Sequence, residues 1–197
     1  MGEQSAGRSG AVKRVVVKAR LPNRVDFVGM LSDIDMEFSE AFWQHDRVFV
    51  PKGYERGKGL PRLYLRTVVK NAEKPAAYAL VLRRHIESKG VDVVNFTTFK
   101  DYTEMAHILH QMGFEIGYEV ARQRQELSMG DSVKVYLDKV EGLPGYWAKI
   151  ESNLGDEDSP EDAREDLVKT FEVLKVGRKN VVDRNYGELL EEESRNQ

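Results

Sequence analysis

Apolar and charged positions alternate with a period of two along most of the chain, the signature of half-buried strands. Over residues 13–21, Val15, Val17, Ala19 and Leu21 share one side while Arg14, Val16, Lys18 and Arg20 share the other. Over 62–70, Arg62, Tyr64 and Arg66 oppose Leu63 and Leu65. Over 133–140, Lys134, Tyr136 and Asp138 oppose Val133, Val135 and Leu137. Over 146–151, Trp147, Lys149 and Glu151 oppose Tyr146, Ala148 and Ile150. β-rich runs at 45–50, 76–84, 91–96 and 116–124 predict further strands, the last placing Val120, Arg122 and Arg124 on one side.

Helical spacing interrupts this pattern in three places. Residues 101–112 begin with Asp101 as cap and Glu104 at capping-box spacing, and Gly113 closes them in a left-handed conformation. Met105, Ile108, Leu109 and Met112 form the predicted buried stripe. A second helix starts at Ser159-Pro160, with serine as cap, proline at the first position and Ala163, Leu167, Phe171 and Leu174 as its apolar face. A short helix follows Asn23. The strands are too long and too alternating for a doubly wound parallel sheet. The class is mainly β (α+β): a closed or strongly curved antiparallel sheet with peripheral helices. Residues 1–11 read as a disordered tail, 12–190 as a single domain and 191–197 as a frayed C-terminus.

Composition narrows the function. The 197 residues carry 30 lysines and arginines against 33 acidic residues, a net charge of -3, which argues against a dedicated nucleic-acid coat while allowing a local basic cavity. The absence of cysteine excludes disulfides, thiolate nucleophiles and iron–sulfur ligation. No apolar run is long enough to span a bilayer, so the expectation is a soluble, cytoplasmic protein without membrane or nucleic-acid partners. The charged strand faces then have two readings. They meet water on a half-exposed sheet, or they line a closed interior that must hold a polyanion or paired carboxylates.

Several segments carry a resemblance. Residues 135–143 with Gly145-Tyr146-Trp147-Ala148-Lys149-Ile150-Glu151, Asn185-Tyr186-Gly187-Glu188, Asp46-Arg47-Val48-Phe49 and Leu63-Tyr64-Leu65-Arg66 resemble, in order, signatures of the CYTH, or triphosphate tunnel metalloenzyme, superfamily, which includes class IV adenylyl cyclases and thiamine triphosphatases. The resemblance implies an eight-stranded antiparallel tunnel-like barrel that grips a triphosphate-bearing ligand, and in ordinary members a divalent ion held by glutamates. On it, the phosphate-binding candidates are Lys18, Arg66, Arg83, Arg122, Arg124, Lys134 and Lys149. A homodimer is also in keeping with related folds.

The departures bear on chemistry. The family's first-strand Glu-x-Glu-x-Lys becomes Arg14-Val15-Val16-Val17-Lys18, and its final Glu-x-Glu becomes Lys149-Ile150-Glu151. Asp138 and Glu151 remain as metal-ligand candidates, and Asp92 as an acidic remnant without a fixed register. Three functions stay open, with no catalytic residue assigned. The first is binding of a phosphorylated small molecule or inorganic polyphosphate with weak or no metal-dependent catalysis, Lys149 neutralising phosphate directly and no cofactor required. The second is a Mg²⁺- or Mn²⁺-dependent triphosphate hydrolase or cyclase with a degenerate active site. The third is a non-catalytic scaffold. His107 and His110 read as surface histidines, His85 as an exposed strand end, and Trp43 and Trp147 as packing residues. His45 reads as a turn contact or as an orienter of Asp46. Gly57 and Gly59, with Lys52, Arg56 and Lys58, read as a loop.

Overall fold

A computed structural model of the chain describes residues 11–54, 62–71, 73–86 and 90–196. The 1–10 stretch of the tail, Gln197 and the Arg56–Pro61 part of the glycine loop lie outside the described residues. Eight strands run in the order β1 (Val12–Leu21), β2 (Phe42–Pro51), β3 (Arg62–Val69), β4 (Ala77–Ile86), β5 (Val91–Phe99), β6 (Phe114–Met129), β7 (Val133–Val140) and β8 (Tyr146–Asn153). They pair antiparallel as β1-β5-β4-β3-β2-β6-β7-β8, and β1 closes the circuit by bonding both β5 and β8. Closure leaves two faces with different fates. Where helices cover the outer face it carries the apolar side chains, and the inner face receives most of the charged ones.

Helices α1 (Arg24–Ser32) and α3 (Pro160–Val173) cover β1, β7 and β8. Val15, Val17, Ala19, Val135, Leu137, Ala148 and Ile150 meet Phe27, Leu31, Leu167 and Phe171 in the largest core. Each of the valine, leucine, isoleucine and phenylalanine side chains contributes about 1.5–3 kcal/mol when fully buried. The predicted caps are present: Asn23 accepts from Val25 and Asp26, and Ser159 accepts from Asp162. Helix α2 (Tyr102–Gln111) is capped by Asp101 and covers β2 and β3 through Leu109 on Phe49 and Leu65. Its stripe is narrower than the sequence predicts. Leu109 is buried and Met105 packs at the margin, but Ile108 and Met112 are 41% and 66% exposed. The turn into β6 at Gly113, φ 86°, carries the chain away before Met112 can reach the barrel.

Helix α4 (Tyr186–Arg195) has a full capping box between Asn185 and Glu188. Its helical backbone extends into the 191–195 stretch read as a frayed end. It packs across one end of the barrel against Val120, Val140, Leu143 and Trp147. Gly187 permits the approach, since a Cβ there would lie 2.3 Å from the Tyr118 ring. Among the described residues no helix is long and apolar enough to cross a membrane. Trp147 is buried in this cluster as expected, whereas Trp43, predicted to pack, is 49% exposed on the outer face.

Candidate functional site

Antiparallel register turns the sequence alternation into opposed side chains. Arg66 lies opposite Asp46, Arg124 opposite Asp138, Arg14 opposite Asp92, and Lys18 opposite Lys149. Residues directly opposite share a face. These rows enclose a cavity of about 510 Å³, lined by inward side chains of the barrel and by the approach to α4. Nine arginines and lysines line it against five carboxylates. Counting Asp138, which lies behind Arg124, leaves three cations in excess.

The carboxylates hold the cations in a connected array. Asp46 accepts from Arg66 Nε at 2.7 Å and Nη2 at 3.1 Å, from Arg122 Nη2, and from the Gln44 amide. Asp138 is fully buried and takes both arms of Arg124 at 2.6 Å and the Tyr186 hydroxyl at 2.9 Å. Glu151 accepts from Lys149 at 2.8 Å, Arg14 at 3.2 Å and Tyr136 at 2.7 Å. Asp92 accepts from Arg83 and lies 2.9 Å from His85 Nδ1. Burial alone would raise the Asp46 and Glu151 pKa values, but the cations on each hold both far below the usual carboxylate range.

The excess charge falls on the lysines. Burial, reinforced by Arg83, lowers Lys18 to about 7. Burial lowers Lys149 to about 7 as well, the attraction of Glu151 only partly opposing it beside Arg124 and Arg83. Among the described residues no carboxylate lies within ion-pair reach of Lys18, whose ammonium donates to the Arg184 carbonyl and sits 4.7 Å over the Tyr186 ring. Arg83 Nε and Arg122 Nε are buried without an acceptor among the described residues. Buried donors left unmet cost about 1–3 kcal/mol each, and both of these residues line the cavity.

Six of the seven predicted phosphate residues line this cavity: Lys18, Arg66, Arg83, Arg122, Arg124 and Lys149. Lys134 does not. It shares the inward side of β7, but it lies at the strand end, is exposed, and is outside the lining. Arg14 and Arg62 line the cavity too, and alternation had already put them on the right sides. Arg164 and the 182–188 segment arrive from α3 and the approach to α4, where strand periodicity is silent. His45 does not orient Asp46; it faces outward and pairs with Glu119 at 2.9 Å.

A divalent ion fits these residues poorly. Mg²⁺ and Mn²⁺ favour free oxygen ligands, yet the oxygens of Asp138 and Glu151 are already occupied by Arg124, Tyr186, Lys149, Arg14 and Tyr136. Among the described residues no group of three or more His, Asp or Glu side chains converges to hold an ion.

The comparisons agree with the fold. The CYTH domain profile matches residues 57–186. A protein of Pyrococcus horikoshii is similar at 22% identity, over 91% of this chain and 98% of its own, with a TM-score of 0.78. A putative adenylate cyclase of Vibrio parahaemolyticus is 20% identical over 90% of this chain and 97% of its own, with a TM-score of 0.77. A Hippeastrum putative adenylyl cyclase, described as having a dominant triphosphatase activity, is 15% identical over 93% and 96%, with a TM-score of 0.59. No curated protein matches the chain.

Proposed function

Because this chain belongs to the CYTH domain family, we propose that its tunnel binds a triphosphate-bearing or polyphosphate anion without needing a divalent ion. The observation that carries the reading is the surplus of cations: nine line the cavity against five carboxylates, with Lys18, Arg122 and Arg124 themselves buried, and Lys149 occupies a position where the family's pattern has an acid. Arginine forks suit phosphate oxygens in pairs, and a lysine ammonium acts as a point charge. Guest oxygens would satisfy the unmet Nε donors of Arg83 and Arg122 and restore the protons of Lys18 and Lys149. The partner in this reading is a phosphorylated small molecule or inorganic polyphosphate in the cytoplasm.

Calorimetric titration with tripolyphosphate tests this, in EDTA and in excess Mg²⁺, at increasing salt. Binding in EDTA that weakens with salt is the expected result, since exchange of bound counterions is salt-dependent. Mg²⁺ should weaken it further by competing for the anion. Binding seen only with Mg²⁺ would favour the metal enzyme, and no heat under any condition would favour a scaffold whose cations are satisfied internally.

A further inference from the structure

The reading above uses the cavity's cations alone, yet the lining also holds an imidazole. His85 on β4 and Asp92 on β5 are directly opposite each other, and both line the cavity. His85 Nδ1 lies 2.9 Å from one Asp92 oxygen, and the other oxygen accepts from Arg83. Burial alone would raise the Asp92 pKa, but the Arg83 guanidinium, with hydrogen bonds from Arg83 and His85, holds it below the usual carboxylate range. An ionised carboxylate can only accept, so the neutral form of the ring places its proton on Nδ1 and presents its lone pair on Nε2. Among the described residues Nε2 has no hydrogen-bond partner, and the side chain is 45% exposed. An imidazole set in one tautomer by a carboxylate is the arrangement that readies a ring nitrogen for attack.

The rest of the lining offers little competition. Among the described residues it contains no serine, threonine or cysteine; Asp46, Asp92, Glu151 and Asp183 are each engaged by cations, and Glu188 accepts from the Asn185 backbone in the capping box. The amines of Lys18 and Lys149 lose their lone pairs once an anion restores their protons.

We propose that His85 Nε2 is a metal-independent nucleophile, so that His85 becomes phosphorylated by a linear phosphoanhydride held in the tunnel. The inference rests on the tunnel's binding such an anion. In the step, the Nε2 lone pair attacks the terminal phosphorus and an N–P bond forms. The bond from that phosphorus to the bridging oxygen breaks, and its electron pair stays on the shortened polyphosphate. The bridging oxygen gains negative charge in a cavity with surplus cations, where such charge is stabilised. The ring keeps its Nδ1 proton and gains positive charge, which the Asp92 carboxylate offsets. Asp92 is thus a positioning residue.

The test uses the full chain, tripolyphosphate and EDTA at about pH 8, with a neutral quench because phosphoramidates are acid-labile. Intact mass and peptide mapping read the label, and calorimetry on the same samples reads binding. The expected result is one phosphoryl group on the peptide containing His85, removed by acid and absent in His85→Gln. Asp92→Asn should slow labelling on the order of 100-fold at saturating anion. Wild-type protein that binds tripolyphosphate but takes no label overturns the inference and leaves the binding function standing. So does label that persists in His85→Gln. Neither binding nor label overturns both.

Discussion

Lys18 and Lys149 face each other across β1 and β8, each with its pKa lowered to about 7. The perturbation to apply is pH. At pH 8.5 a lysine of pKa 7 is about 97% neutral, and an anion that binds the ammonium form must draw a proton from solvent. With two such lysines the uptake approaches two protons per anion. Affinity then falls by up to about 100-fold per pH unit above pH 8, or about 2.7 kcal/mol per unit. Below about pH 6 both lysines are already charged and their contribution becomes flat. There the phosphate, with a second pKa of about 6, releases a proton on binding, so the sign reverses and affinity peaks between about pH 6 and 7. Titrations with tripolyphosphate in Tris and in HEPES at pH 8.5 measure the proton number directly, from the slope of observed heat against buffer ionisation heat. Lys149→Met should remove one of the two protons. A slope of zero at pH 8.5, or proton release, would refute the reasoning. The stability of the free protein runs the opposite way, from the same lowered pKa values. The unfolded chain keeps these lysines protonated up to 10.5 while the folded chain does not, so their contribution to stability improves as pH rises from 7 towards 10.5.

Three further outcomes follow from the same array. Asp46, Asp92, Asp138 and Glu151 all have folded pKa values below their unfolded ones; their stabilisation is present above about pH 4.5 and lost as pH falls further, so Tm followed by circular dichroism should be level near pH 5–6 and drop below pH 4. Asp46→Asn leaves Arg66 and Arg122 without their shared carboxylate and should cost about 3–5 kcal/mol, yet its Tm should rise more than wild type's on adding tripolyphosphate; an equal rise would count against the cavity cations as the binding groups. Gly187→Ala drives a methyl into the Tyr118 ring and should cost about 1–3 kcal/mol in urea unfolding.

Alternation alone placed Arg14, Lys18, Arg62, Arg66, Arg122 and Arg124 on common faces, because in a closed antiparallel sheet face and side of the tunnel are one property. Closure itself was not in the periodicity: an open sheet reads identically, and the ordered family signatures supplied the barrel. Lys134 shows where periodicity ends. Facing inward says nothing about depth along the strand, and at its position the cavity has already opened to solvent. His85 was passed over because its partner Asp92 is seven residues away across a hairpin, and the register that sets them opposite is visible only in the folded sheet. The contribution of α4 was legible only as a tyrosine signature, since packing a helix end onto Tyr118 depends on the missing side chain at Gly187.

The occupied carboxylates and the surplus of cations in this tunnel form one arrangement of charge, and reversing one residue should not undo it. A divalent ion at Glu151 would have to displace Lys149 and Arg14, now at 2.8 and 3.2 Å, and then sit beside them. Two like unit charges about 4 Å apart cost about 4 kcal/mol at an effective dielectric of 20. A doubly charged ion beside one such cation therefore faces about 8 kcal/mol, and beside both about twice that, before any desolvation. Lys149→Glu removes one cation but leaves Arg14 on the same carboxylate, so tripolyphosphate binding should weaken in EDTA without becoming Mg²⁺-dependent. The triple change Arg14→Glu, Val16→Glu and Lys149→Glu places new carboxylates on neighbouring inward positions of β1 and β8 around Glu151. Only that variant should bind tripolyphosphate more tightly with Mg²⁺ than with EDTA in calorimetry. If Lys149→Glu alone conferred Mg²⁺-dependence, the argument that Arg14 and Lys149 together bar the ion would be wrong.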